Sequence, residues 1–233
     1  MSLTVEIRRK QIGGRAVLED LRFDVEDGEI LALVGPSGCG KSTLLKLVGG
    51  LDAEFDGRLD WHGPQPRIGT VFQEPRLLPW RSVRDNLRLV LPPDADPTPL
   101  DRLLDQVGLG EVRDRWASQL SLGMARRLSL ARALAIEPGL LLLDEPFVSL
   151  DEAMAESARA LLLSLWRRHP VAVLLVTHDL AEAGALADRV LLLSEGPARV
   201  VASYAVPPDR RRAGHEAALG TAAALRLLRD GAG

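Results

Sequence analysis

The segment Gly35-Pro36-Ser37-Gly38-Cys39-Gly40-Lys41-Ser42 constrains this chain more than any other. It matches the pattern GxxxxGK[ST] and lies between an apolar run, Glu29 to Val34, and the stretch KSTLLKLVGG. The first reads as a strand buried on both faces, the second as a helix closed by Gly49-Gly50. A glycine-rich turn between a strand and a helix is a phosphate cradle. Its backbone curls so that N–H groups and the helix N-terminus face negative charge. Lys41 is placed to reach the β- and γ-phosphates of a nucleotide, and the Ser42 hydroxyl to ligate Mg²⁺. Gly35 through Thr43 are therefore the candidate nucleotide-binding residues. Cys39, beside Lys41 at a helix N-terminus, is either a thiol of lowered pKa or a residue whose backbone N–H alone matters.

Around this loop the remaining pattern is α/β. β-rich stretches at Leu3–Arg8 and Val17–Val25 precede the loop, and Arg67–Phe72 follows as a further strand. From Glu74 to about Arg115 the reading is helical, broken by PPDADPTP, and this suggests an inserted helical lobe. Ser121 is an N-cap candidate for a helix, LGMARRLSLARALAI, that stops near Glu137-Pro138-Gly139. Strands at Leu140–Leu143, Val171–Val176 and Arg189–Leu193 alternate with helices at Asp151–Arg168 and Leu180–Ala187. That alternation predicts a largely parallel sheet with helices on both faces. Pro207-Pro208 opens an Arg-rich and then Ala/Leu-rich tail that reads as helical.

Composition narrows the class. A chain of 233 residues with 46% hydrophobic content suits one domain with an inserted lobe. Its net charge of -3 argues against a nucleic-acid footprint, which shows as a basic excess. The apolar runs fall short of the roughly eighteen residues a membrane span needs. The N-terminus lacks the apolar core of a secretory signal, and a single cysteine fits a reducing compartment. The expectation is a cytoplasmic protein that works at a membrane only through a partner.

Two acids complete a hydrolytic set. Leu140-Leu141-Leu142-Leu143-Asp144-Glu145 is a buried strand with a carboxylate pair at its carboxyl end, where α/β sheets place ligands. Asp144 is the candidate for the Mg²⁺ shell, and Glu145 for orienting and polarising the attacking water. By itself an acidic pair after a strand is also a solvated turn; the phosphate loop tips the reading toward chemistry. His178, after the apolar strand in Val176-Thr177-His178-Asp179, is placed to contact the γ-phosphate or steady the water. His62, His169 and His215 read as ordinary surface residues.

Taken in order, these motifs resemble the ATPase subunits of ABC transporters across nearly the whole chain. The phosphate loop, the glutamine of Val71-Phe72-Gln73-Glu74, the signature-like Leu120-Ser121-Leu122-Gly123-Met124, the strand 140–145, Ser149-Leu150-Asp151 and Thr177-His178-Asp179 all occur in the family's order. The resemblance implies a P-loop NTPase with a RecA-like core and an antiparallel β-subdomain, covering about 1–73 and 138–205. An inserted α-helical subdomain covers about 74–137, and a helical tail about 206–233. It further implies a head-to-tail dimer enclosing two ATP molecules. Gln73 is then a Mg²⁺ ligand and a catalytic residue beside Glu145 and His178. Ser121 and the backbone of Gly123 bind the γ-phosphate held by the opposite subunit, and Asp151 lies at the dimer seam. Read without the resemblance, Leu120–Ala135 is equally an amphipathic helix with exposed Arg126 and Arg127.

Two positions depart from the family's pattern. Leu122 stands where the signature has glycine, and strain follows if that position demands a positive φ. Ile12, before Gly13-Gly14, stands where an aromatic residue stacks on adenine; it packs on the ring but supplies no π-stacking. Phe72 to Asn86, with Pro79-Trp80-Arg81, is similar to the segment in importers of nitrate, sulfonate, taurine and related solutes. In that family it receives the permease, and an external binding protein delivers the solute. Leu77, Leu78 and Trp80 therefore either fill an interface or pack inside the lobe. The rival readings are an ABC-type ATPase acting on DNA or the ribosome, a P-loop kinase or GTPase, and a degenerate subunit paired with a competent partner. No long coiled-coil insertion, second ATPase domain or NKxD motif supports the first two, and the complete set Lys41, Asp144, Glu145 and His178 weighs against the third.

Overall fold

The computed structural model describes residues 2–92, 94–96, 98–207 and 220–226. The chain forms two compact units, Met1–Pro66 with Pro170–Gly233, and Arg67–His169.

In the first unit, β1 (Ser2–Ile12) and β2 (Arg15–Val25) form an antiparallel hairpin. Gly13 and Gly14 make its turn with φ of 56° and 79°, the left-handed pair that matches strand twist in a two-residue hairpin. β4 (Asp56–His62) pairs with the other edge of β1, giving the order β2-β1-β4. Leu3, Val5 and Ile7 alternate inward along β1 and are buried. The apolar strand β3 (Ile30–Val34) is buried at every position. It lies in parallel between β7 (Ala172–Thr177) and β8 (Arg189–Leu193), which explains why it has no polar face. β9 (Val200–Ala205) closes this sheet antiparallel to β8. α1 (Lys41–Val48) and α6 (Leu180–Leu186) follow β3 and β7. The sequence reading did not mark β4 or β9. Both alternate between half-buried and exposed residues, so neither carries the continuous apolar run of β3 or β7.

In the second unit, β5 (Ile68–Val71) and β6 (Leu140–Asp144) are parallel neighbours. α2 (Val83–Arg88), α3 (Thr98–Gln106), α4 (Leu122–Leu134) and α5 (Glu152–Arg168) accompany them. Gly69 lets α4 approach β5, because a Cβ there would stand 2.4 Å from the Ala133 carbonyl oxygen. The helical expectation for Glu74 onward is corrected over the first nine residues, 74–82, which form a loop. Pro75 and Pro79 remove backbone donors there, and Arg76 takes a φ of 46°. The expected helical tail falls mainly on 208–219 and 227–233, outside the described residues; 220–226 is helical.

Asn86 holds the 78–82 loop. Its side chain is fully buried, accepts from the Leu78 N–H at 2.8 Å, and donates to the carbonyls of Leu78 and Ser82 at 3.1 and 3.0 Å. Asn86→Leu keeps the volume but strands the Leu78 N–H, at a cost of about 1–3 kcal/mol, while the Leu78 and Ser82 carbonyls still accept from the Arg81 and Asn86 main-chain N–H groups. The expected result is a thermal midpoint lowered by about 3–9 °C, read by calorimetry.

Candidate nucleotide-binding site

Register sets the site in the first unit. Val34 pairs with Thr177 on β7 and with Leu192 on β8, so loop 35–40 and His178 leave neighbouring parallel strands at the same end of the sheet. Gly40 has a φ of 119°, and a Cβ there would lie 2.7 Å from Leu18 and 3.0 Å from the Val17 carbonyl. Glycine is therefore required both by conformation and by contact with β2. Lys41 is only 4% exposed, and its Nζ donates to the carbonyls of Gly35 and Pro36 at 2.8 Å each. These bonds hold the ammonium inside the curl of the loop. α1 starts without a side-chain cap, so its first turn presents backbone N–H groups toward an anion. Ser42, the second residue of α1, is exposed.

Cys39 is 2% exposed, and its sulfur packs where Gly35 leaves room, 3.0 Å from an added Cβ. Burial removes the reading of an accessible, reactive thiol. His178 is exposed, and the turn that carries it is fixed from both sides. Thr177 Oγ1 accepts from the Asp179 N–H at 3.0 Å and donates to buried Glu182 at 3.1 Å. Asp179 caps α6 through the N–H groups of Ala181 and Glu182. Ile12 ends β1 and is 54% exposed, at the tip of the hairpin whose second strand touches Gly40.

A second set forms within the other unit. Val71 pairs with Leu143, so Gln73 and Glu145 each stand two residues beyond one rung of the β5–β6 ladder. Asp144 is the last residue of β6, and Gln73 is exposed. Glu145 takes a φ of 44°, a left-handed conformation uncommon for a residue with a Cβ and concentrated at functional sites. Ser121 caps α4, its Oγ accepting from the Met124 N–H at 3.3 Å. Gly123 lies in the first turn of α4, where an added Cβ would meet Met154 at 3.5 Å. Asp151 caps α5 by accepting from the Met154 N–H at 2.9 Å.

The condition for strain at Leu122, a positive φ, is not met. Leu122 opens α4 with helical backbone and is not among the residues of positive φ; its side chain is 44% exposed. Leu77 and Leu78 are half-buried, whereas Trp80 is 64% exposed, so the apolar cluster divides between interior and surface. The exposed Arg126 and Arg127 of the amphipathic reading are also corrected, since both are half-buried. Arg126 donates to the carbonyls of Glu145, Pro146 and Val148, and Arg132 to those of Pro75 and Arg76. Nothing local in the sequence separates these two arginines from solvated ones, because their partners lie far away along the chain.

Residues 18–148 match the family described as ABC transporter. The chain belongs to the ABC transporter family. This cassette is 47% identical over 219 residues to the aliphatic sulfonates import ATP-binding protein SsuB 2 of Burkholderia lata, covering 90% of this chain and 80% of that protein. It is 49% identical over 214 residues to SsuB of Mycobacterium avium, covering 90% and 83%. Among solved structures it resembles CbiO1 of Clostridium perfringens, part of the ABC transporter complex CbiONQ. The TM-score is 0.78 at 27% identity, with 89% of each chain covered. A dimeric post-hydrolysis structure of the ATP-binding cassette MJ0796, bound to ADP and Pi, gives a TM-score of 0.77 at 25% identity, covering 88% and 99%. The P-loop NTPase fold class and nucleotide binding expected from the phosphate loop therefore stand for this ABC cassette.

Proposed function

We infer that this chain is the ATP-binding and ATP-hydrolysing subunit of an ABC importer, energising solute transport through a separate transmembrane permease. The observation that carries the reading is the buried Lys41 ammonium, held by two loop carbonyls at the N-terminus of an uncapped helix. A fixed positive charge and the N-terminus of a helix favour the triphosphate, and more so as charge develops on the leaving phosphates. Glu145 orients the attacking water, His178 contacts the γ-phosphate, and Gln73 acts with them. Ile12 packs on the adenine.

The oxygen donors suit Mg²⁺. Ser42, Gln73 and Asp144 are hard ligands, and among the described residues no group of three or more His, Cys, Asp or Glu forms a protein-only metal cage. Magnesium favours such a partial shell, completed by water and nucleotide phosphates. When bound, it neutralises phosphate charge.

Partner readings follow the relatives. Sulfonate import by the SsuB proteins points to an organosulfonate or related oxyanion as solute. The solute is delivered by an external binding protein and moved by a permease. Among the described residues no helix is long and apolar enough to cross a membrane, so a separate permease supplies the path. Exposed Trp80 and Trp116 give an apolar surface for that contact, on the cytoplasmic face of the membrane. The MJ0796 cassette is dimeric, and a head-to-tail homodimer of this chain lets Ser121 and Gly123 at the α4 N-terminus meet the partner's γ-phosphate.

The test is phosphate release from Mg-ATP by the purified chain with and without excess EDTA. Magnesium-dependent turnover, lost with EDTA and restored by added Mg²⁺, is the expected result. Absence of turnover both alone and with the permease reconstituted would sink the reading.

A further inference from the structure

Five residues other than glycine take a positive φ among the described residues, and Glu145 at 44° and Arg76 at 46° are two of them. Each follows one strand of the β5–β6 pair, Arg76 three residues after Gln73. Carbonyls at each of these turns accept from an arginine of α4. Arg126 reaches the Glu145 carbonyl at 3.5 Å, and also those of Pro146 and Val148. Arg132 reaches the Arg76 carbonyl at 2.8 Å and that of Pro75 at 2.9 Å. Left-handed backbone at a residue with a Cβ persists only where its surroundings over-determine it. At the first turn the Val148 N–H also donates to the Glu145 carbonyl at 3.3 Å, and one helix, α4, supplies side-chain donors to both turns.

We propose that Arg126 and Arg132 are positioning residues, which set the turn bearing Glu145 and the loop following Gln73 from the rigid frame of α4. The chemistry suits arginine. A planar guanidinium presents several N–H donors in fixed directions, so one side chain holds two or three carbonyls in a defined relative geometry. A lysine ammonium keeps the charge but loses that fork. The two arginines lie six positions apart on α4, about 9 Å along its axis. The same helix begins at Ser121, so any displacement of α4 is felt at both turns. The proposal rests on the reading of Glu145 as the water-orienting carboxylate.

The experiment compares Arg126→Lys, Glu145→Gln and the double variant in the full chain. Turnover at saturating Mg-ATP, nucleotide Kd and thermal midpoint are measured for each. Arg126→Lys is expected to lower kcat about 10- to 100-fold, the size of effect that a misplacement near 1 Å produces. The nucleotide Kd stays within about 3-fold, because the phosphate loop is untouched. The double variant is no slower than Glu145→Gln alone, since both changes act through one carboxylate. A purely structural role instead lowers the thermal midpoint and weakens nucleotide binding in parallel with kcat, and that pattern overturns the proposal. So does wild-type turnover in Arg126→Lys while Glu145→Gln stalls, which leaves the Glu145 reading intact. Normal turnover by Glu145→Gln removes that reading and the proposal with it. Should the lysine variant not fold, Arg126→Gln, which still donates to one carbonyl, is judged by the same three measurements.

Discussion

Replacing Glu145 with glutamine is expected to lower kcat by about 10²–10⁴-fold, the usual contribution of a positioned acid or base. Glutamine keeps the size and one acceptor oxygen, so the turn that Arg126 grips through main-chain carbonyls is undisturbed. What is lost is the negative charge proposed to polarise the attacking water. Nucleotide binding persists because Lys41 and the loop glycines belong to a different element. The variant is therefore expected to trap ATP and to accumulate as a dimer on a sizing column, whereas wild type passes through that state. A variant that hydrolyses ATP at the wild-type rate would remove Glu145 from the mechanism and leave the water to another group.

Removing the Lys41 ammonium is expected to act at the binding step. Lys41→Ala deletes the charge proposed to meet the phosphates and also uncovers the carbonyls of Gly35 and Pro36, which it now holds at 2.8 Å. Those oxygens are then left facing an anion. Hydrogen bonds to charged groups contribute about 1.5–3 kcal/mol each. A loss near 3 kcal/mol corresponds to about 100-fold weaker nucleotide binding. Titration with a fluorescent ATP analogue measures it directly. The same change should shrink the rise in thermal midpoint that ATP gives the wild type, since stabilisation by a ligand grows with the logarithm of its concentration relative to Kd. Lys41→Arg is not expected to rescue either readout, because a side chain 4% exposed in a closed loop has no room for the wider guanidinium. Unchanged affinity in Lys41→Ala would mean that backbone N–H groups alone bind the phosphates.

Much of this molecule is written locally. The phosphate loop, the Ser121, Asp151 and Asp179 caps, the buried strands β3, β6 and β7 and the hairpin turn at Gly13-Gly14 all follow from a few consecutive residues. Turn chemistry, capping and apolar runs act over less than about two helical turns, so the sequence carries their full information. Lys41, Ser42, Asp144, Glu145 and His178 were proposed for the same reason, since each sits at or next to a strand end or helix start, whereas Ile12, Gln73 and Gly123 were proposed from the family resemblance.

Tertiary structure decided what depends on distant partners. That β3 runs between β7 and β8, which brings His178 beside the phosphate loop, is a matter of strand order that no local pattern specifies. Whether Trp80 lies outside while Leu77 and Leu78 turn partly inward was settled by Asn86 and the loop it ties down. The backbone of Leu122 is helical because Ser121 caps α4 directly before it, so the family's glycine position needs no positive φ in this chain. Arg126 and Arg132 look like any other helix-surface arginines until the chain folds. Only packing places them against the strained carbonyls of Glu145 and Arg76, because hydrogen-bond partners separated by many residues are chosen by the whole fold and not by the neighbours in sequence.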